Sequence, residues 1–340
     1  MNTTSLLRVT AGIGAAAALV AGLAACQGDD AGGDLESLTV GLTYTPNVQF
    51  APFYVAEKLG YFEEAGLDVD LRHHGEAEEL FGALASDTEQ VVFAGGDEIM
   101  QGRSTGIDVT SIGTLYNTYP AVLIVPEDSP IHSAADVRGH TIGTPGPYGQ
   151  TYFALLSLLQ TNGLTVSDVD IQHIGYTQQA ALTSGKVDGV MGFVNNDAVQ
   201  FAEAGFPVRT IEVMPADHQQ LVGPAIGATQ ATVDTRGEAL TGLMTALARA
   251  LEYMRSDTQG TIDIAAEYIP TLGTDEAKAS ALATLEATLP LLEPYPGAPQ
   301  FENDAEVWSA MATFMAEQRL LGDVAVTAEE SYTNAFVPSS

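Results

Sequence analysis

Gly41-Leu42-Thr43-Tyr44-Thr45-Pro46-Asn47-Val48-Gln49-Phe50-Ala51-Pro52-Phe53-Tyr54-Val55-Ala56, continuing as Glu57-Lys58-Leu59-Gly60-Tyr61-Phe62-Glu63-Glu64-Ala65-Gly66-Leu67-Asp68-Val69, decides the architecture of this chain. An apolar run predicts a strand over Leu38–Tyr44, and Pro46-Asn47 marks the turn that ends it. Ala51–Leu59 reads as a helix with Pro52 near its start, where a missing N–H costs no intrahelical bond. After the breaks at Gly60 and Gly66, Leu67–Leu71 alternates apolar and polar residues as a second strand. A helix between two strands at this spacing is a βαβ unit, which requires a parallel sheet.

The same alternation runs on. Further strands are expected at Val91–Ala94, Val109–Leu115, Ala121–Val125, Thr141–Gly143, Ile171–Gly175, Gly189–Phe193, Val208–Val213 and Gly223–Ala228. Helices are expected at Ala77–Ala85, Gly96–Thr105, Tyr148–Thr161, Gln178–Ser184 and Asp197–Ala204. From about Thr235 the pattern turns helical, over Gly237–Arg255, Thr261–Tyr268, Asp275–Leu289 and Ala305–Gln318, with Trp308, Met311, Met315 and Leu320 as packing residues. Pro120–Pro126 and Gly223–Gly227 are extended apolar stretches that would cross between lobes. The expected fold class is therefore α/β, with two mixed α/β lobes joined by two hinge crossings. Residues 37–122 and 223–340 would form the first lobe and 123–222 the second. A single doubly wound domain with a helical cap is the competing arrangement.

The N-terminus points to export. Met1–Arg8 carries one basic residue, Val9–Ala25 is uncharged and rich in small residues, and Leu23-Ala24-Ala25 leads into Cys26, the one Cys in 340 residues. That is the length of a signal-peptide core, shorter than a stable span. Residues 1–25 are expected to be a lipoprotein signal peptide and 26–36 a polar tether. Cys26 is the expected lipidation site, holding the chain at the outer face of the cell membrane by two or three acyl chains. No thiol is then left for a disulfide or a zinc cluster. Twelve basic residues stand against 44 acidic ones, a net charge of −32. Such a surface cannot neutralise phosphates, which excludes nucleic-acid partners, and the acidity otherwise reads as solubility.

The opening stretch, together with Gly143-Thr144-Pro145-Gly146-Pro147-Tyr148-Gly149, Gly185-Lys186-Val187-Asp188-Gly189-Val190 and the ending Ser331-Tyr332-Thr333-Asn334-Ala335-Phe336, resembles the nitrate/sulfonate/thiamine-pyrimidine group of periplasmic solute-binding proteins, which is similar to thiamine-pyrimidine synthases. The resemblance covers nearly the whole chain after the tether. It implies a two-lobed periplasmic-binding-protein fold of type II and a lipoprotein that serves an ABC importer, working as a monomer with a permease partner. Gly95-Gly96-Asp97-Glu98, Tyr116-Asn117-Thr118-Tyr119-Pro120, Ile174-Gly175-Tyr176-Thr177-Gln178 and Phe193-Val194-Asn195-Asn196-Asp197 resemble binders of flat heteroaromatic vitamins or precursors. These runs are similar to those of thiamine-pyrimidine and riboflavin binders, and lean toward the latter.

The chemistry of these positions agrees. Tyr44, Phe50, Tyr116, Tyr148 and Phe193 fall at strand ends, where aromatic faces can hold a flat ring; for each, core packing is the alternative. Asn47, Gln49, Gln150, Asn195 and Asn196 supply amides that orient a ligand, and Gly96 with Asp97 opens a helix beside them. Asp97 and Asp197 can equally cap their helices. Gly143–Gln150 presents free backbone N–H groups to an acceptor, but no Gly-Lys-Ser/Thr follows it. With no Lys or Arg in these loops, sulfonate or nitrate is the weaker alternative ligand. His73 and His74 sit next to each other on extended chain and so point apart, so no metal site is expected. An enzyme akin to the pyrimidine synthases is disfavoured by the lack of any Cys beyond Cys26, and Lys58 reads as a surface helix residue. The expectation is a binder, with no catalytic residue and no cofactor.

Overall fold

A computed structural model describes residues 35–75, 78–215 and 218–338. Cys26, the expected signal segment and the tether before Leu35 lie outside the described residues.

The opening βαβ unit forms as expected: strand β1 (Glu36–Leu42), a helix at Ala51–Lys58 and strand β2 (Leu67–His73), with β1 and β2 parallel and Leu38 opposite Val69. The Asn47 side chain accepts from the Gln49 N–H at 3.0 Å, which starts the turn into the helix. Three more strands complete the first sheet: β3 (Val91–Gly95), β4 (Thr110–Thr114) and, far along the chain, β10 (Pro224–Ala228), in the order β2-β1-β3-β10-β4. The second sheet contains β5 (Ala121–Pro126), β6 (Thr141–Thr144), β7 (Asp170–His173), β8 (Gly189–Phe193) and β9 (Val208–Glu212), in the order β7-β6-β8-β5-β9.

One strand in each sheet arrives from the other lobe. β5 enters the second sheet antiparallel to β8 and β9, and β10 returns to the first antiparallel to β3 and β4. The two apolar stretches expected to be the crossings are these strands, because their residues are buried on a ladder: Leu123 lies opposite Met191 and Ile226 opposite Phe93. The crossings themselves are the segments just outside them, residues 115–120 and, among the described residues, 213–215 with 218–223. Central β3 is buried along its whole length, as a strand covered on both faces is, and so is the edge strand β4, beside which Tyr332 bridges to Ser111.

Helices cover both sheets. Gly237–Ser256 buries Leu240, Leu243, Leu247, Leu251 and Met254, a stripe at three- and four-residue spacing that faces the core. It packs on the helix Ala51–Lys58, whose Tyr54 stacks on Tyr268 at 4.4 Å. The later helices pack on the first lobe, Ala281 and Leu285 joining its core and Trp308 and Met311 lying with Val92 and Ile99, and they also reach the second. Asp275–Thr288 bonds to the second lobe through Asn195 Nδ2 to Thr288 Oγ1 (2.9 Å) and Ser280 Oγ to Glu203 (2.7 Å). The helix Ala305–Glu317 does so through Gln160 Nε2 to Glu317 (2.6 Å). Its Trp308 is fully buried against Tyr332, as packing residues are.

Two local expectations change. The helix expected over Ala77–Ala85 is four residues, Gly82–Ala85, because the Glu78 carboxylate turns back to the Gly75 N–H and to Arg72. His73 and His74 do point apart: His73 bonds the Tyr54 hydroxyl and the Tyr44 carbonyl, and His74 bonds buried Glu89 at 2.9 Å. Among the described residues no three potential ligands gather for a metal, and no helix is long and apolar enough to cross a membrane.

Leu247→Ala removes a fully buried side chain from the centre of the first lobe. It should cost about 2–5 kcal/mol, seen as a lower urea midpoint at unchanged slope. A cost below about 1 kcal/mol would contradict this packing.

Candidate functional site

The carboxyl ends of β1 and β3 in one lobe face those of β6, β7 and β8 in the other, the place where ligands sit in open α/β sheets. Between them lies a cavity of about 480 Å³. A smaller one of about 120 Å³ adjoins it and shares Thr43, Gln49, Phe50, Glu98, Gln150 and Phe193 with it. Both lobes therefore build one cleft.

Its mouth is aromatic. Tyr44, Tyr148 and Tyr176 line the larger cavity while remaining 42%, 55% and 68% exposed. Tyr44 comes from the first lobe and the other two from the second. Phe50 and Phe193 lie deeper, with Phe50 held edge-on by Phe93 at 5.9 Å. Tyr116 is buried and lines the smaller cavity; burial pushes its phenol up, against the pull of Thr288 and Asn195. The ring of Tyr148 lies across Gly146, where a Cβ would stand 2.7 Å from Tyr148 Cζ, so the turn needs glycine for the ring to lie there.

The polar groups divide by what already holds them. Asn47 is spoken for by the Gln49 N–H, and Asn196 Oδ1 accepts from Gln200 Nε2 at 2.9 Å. Asp197 lines the cavity and accepts the Phe193 N–H at 2.7 Å; burial raises its carboxyl above the ordinary range. Gln49 lines both cavities. Gln150 Nε2 is buried with no partner among the described residues, and Gln150 also lines both cavities. Among the described residues no Lys, Arg or His lines the cleft, while two carboxylates, Glu98 and Asp197, do.

Of the twelve residues expected to bind, Tyr44, Asn47, Gln49, Phe50, Tyr148, Gln150, Phe193 and Asn196 line the larger cavity, and Tyr116 the smaller. Gly96, Asp97 and Asn195 stand behind the wall. Gly96 donates to the Gly223 carbonyl at 2.9 Å, fully buried Asp97 faces Tyr119, and buried Asn195 bonds Thr288. Glu98 takes the place expected of Asp97. Successive helix residues point about 100° apart, so of two neighbouring carboxylates only one can face the cleft. The Glu98 carboxylate reaches back to the Gly95 N–H at 2.9 Å and opens onto both cavities; burial raises its carboxyl. Glu98 is not among the residues expected to bind, although an acidic residue three places after the helix-opening Gly95 is a signal that distinguishes it. Tyr176 also enters, from the Gly175 turn after β7.

A family model described as NMT1/THI5 like matches residues 47–260, which contain every cleft-lining residue but Thr43 and Tyr44. The chain belongs to the NMT1/THI5-like family. A relative at 31% identity over 313 residues is the riboflavin-binding protein RibY of Chloroflexus aurantiacus, the match covering 89% of this chain and 87% of that protein. The formylaminopyrimidine-binding protein of Halalkalibacterium halodurans is 24% identical over 323 residues, covering 92% and 94%. In fold, this NMT1/THI5-like chain matches the periplasmic aliphatic sulphonate binding protein SsuA from Escherichia coli at a TM-score of 0.70 and 19% identity, over 87% of this chain and 91% of that one.

Gly96→Ala places a Cβ 2.7 Å from Val222 Cβ and 3.2 Å from the Gly223 carbonyl. It should lower stability by about 1–3 kcal/mol, measured by thermal unfolding. An unchanged midpoint would contradict the close seating of this helix.

Proposed function

We propose that this chain is the ligand-capturing component of an ABC-type importer and that its ligand is a neutral, flat heteroaromatic vitamin, riboflavin before the thiamine pyrimidines. The observation that carries the reading is the cleft itself, with aromatic walls from both lobes, amides and two carboxylates but, among the described residues, no cationic side chain. Flat rings gain about 0.5–1.5 kcal/mol from each well-placed aromatic partner beyond the area they bury. A cavity of about 480 Å³ lies within the roughly 300–1,000 Å³ of drug-sized ligands, more room than one six-membered ring fills. The kinship with a riboflavin binder supports the same choice.

Gln150 Nε2 and Glu98 face the ligand space from opposite lobes as donor and acceptor. An edge with adjacent C=O and N–H groups, as in a cyclic imide, meets both. Sulfonate or nitrate would have to be held by backbone N–H groups against Glu98 and Asp197, a poor exchange for its hydration. A synthase is disfavoured by the absence of any Cys after Cys26.

In this reading the ring enters between Tyr44, Tyr148 and Tyr176, and the lobes close about the two crossings. Closure follows from the extra contacts the ligand gains in the closed form. Lipid on Cys26 keeps the protein beside its permease at the outer face of the membrane.

Calorimetric titration of residues 27–340 with riboflavin, hydroxymethylpyrimidine, taurine and nitrate tests this. Riboflavin should bind one to one and raise the melting point in proportion to ln(1 + [L]/Kd). Tyr148→Ala or Phe193→Ala should each weaken it about tenfold. Binding of taurine or nitrate with silence from both rings would overturn the ligand assignment.

A further inference from the structure

Tyr119, on the first crossing, is buried, with its hydroxyl 2.6 Å from Asp97 Oδ2 and 3.0 Å from the main-chain carbonyl oxygen of Gln150. Asp97 belongs to the first lobe, in the first turn of the helix Gly96–Ser104; Gln150 opens the helix Gly149–Thr161 of the second. The hydroxyl thus touches both lobes at once. A phenol has one proton, and an ionised carboxylate and a carbonyl are both acceptors only. With Asp97 ionised, one of the two contacts is an oxygen facing an oxygen with no hydrogen between, among buried side chains. With Asp97 protonated, the count closes: Asp97 donates to Tyr119, Tyr119 donates to Gln150, and Asp97 Oδ1 still accepts the Glu98 N–H at 2.8 Å.

We propose that Asp97 is a positioning residue that carries a proton in this arrangement, forming a donor chain through Tyr119 to the Gln150 carbonyl that latches the lobes and aims the Gln150 amide into the cleft. Its effect on ligand affinity rests on the binding reading above; the latch itself does not.

The surroundings favour the proton. Glu98, on the same helix, and Tyr119 are the titratable groups acting on Asp97. The packed strands β3, β4 and β10 carry no charged residue, nor does the helix Gly149–Thr161, whose one titratable side chain is Tyr152. The short helix Ala328–Ser331 adds exposed Glu329 and Glu330. Among the described residues no cation acts on Asp97. Burial first, and the Glu98 charge second, hold the Asp97 carboxyl well above its ordinary range. A carboxyl raised in the folded form binds its proton more tightly there than in the unfolded chain. Stability from it is therefore full at low pH and is lost as pH rises through the raised value.

Three readouts decide the matter on residues 27–340. Infrared difference spectra between wild type and Asp97→Asn at neutral pH should show a protonated carboxylic acid present only in the wild type; a carboxylate in its place overturns the proposal. Asn donates to Tyr119 and accepts from Glu98 permanently, so Asp97→Asn should flatten the decline of the melting point with rising pH. A pH profile parallel to wild type overturns the proposal too. Riboflavin affinity in the wild type should fall by up to about tenfold per pH unit above the transition, the slope of one proton. Asp97→Ala and Tyr119→Phe should weaken it at every pH, with Asp97→Asn restoring what Asp97→Ala loses. If riboflavin does not bind at all, the ligand reading fails and the spectra and melting profiles still decide the latch.

Discussion

The cleft depends on how closely the first turn of the helix Gly96–Ser104 seats against the second crossing. Gly96 donates to the Gly223 carbonyl at 2.9 Å, and Val222 occupies the space any side chain at 96 would need. From the same turn, Asp97 reaches the first crossing and Glu98 opens onto the ligand space. One helix terminus therefore touches both crossings and the cavity. Its apolar surroundings make every polar group there count, since an unpaired buried acceptor costs about 1–3 kcal/mol. The adjacent carboxylates divide the work because helix geometry turns them apart.

Charge distribution sets the electrostatics of the cleft. The chain is strongly acidic, and its few cations are taken up away from the ligand space. Arg72 joins Glu78 and Glu89, Arg249 joins Glu64, Arg255 joins Glu293 and Lys278 joins Asp263. The surface pairs of Arg249, Arg255 and Lys278 add about 0–1 kcal/mol each to stability. Among the described residues no guanidinium or ammonium lines the cleft. The fold shared with a sulphonate binding protein is lined here by aromatic and amide side chains. The −32 net charge also repels anions at a distance, within the roughly 8–10 Å over which salt leaves the field unscreened.

Most of the scaffold was legible in the sequence. All ten strands and most helices stand where apolar runs and glycine or proline breaks placed them, because those signals are local. Nine of the twelve proposed contacts line the cleft for the same reason: they follow strand ends. What was not legible depends on orientation or on distant packing. Asp97 and Glu98 look alike in sequence, and only the helix phase separates them. Tyr176 needed the turn at Gly175 to be seen as facing the mouth. The crossings were displaced onto β5 and β10 because buried strands and buried linkers share an apolar composition. The cross-lobe bonds of the C-terminal helices, such as Asn195 to Thr288, leave no mark in local pattern at all.

Flavin emission reports most directly on whether an aromatic, cation-free cleft selects a neutral ring. Riboflavin and its 5′-phosphate would be titrated side by side against residues 27–340, at low and physiological salt. The account predicts saturable one-to-one quenching of riboflavin by the cleft tyrosines, and much weaker binding of the phosphate that recovers only in part as salt screens the acidic surface. Unquenched riboflavin, or a phosphate ester that binds as tightly as the neutral vitamin, would contradict it.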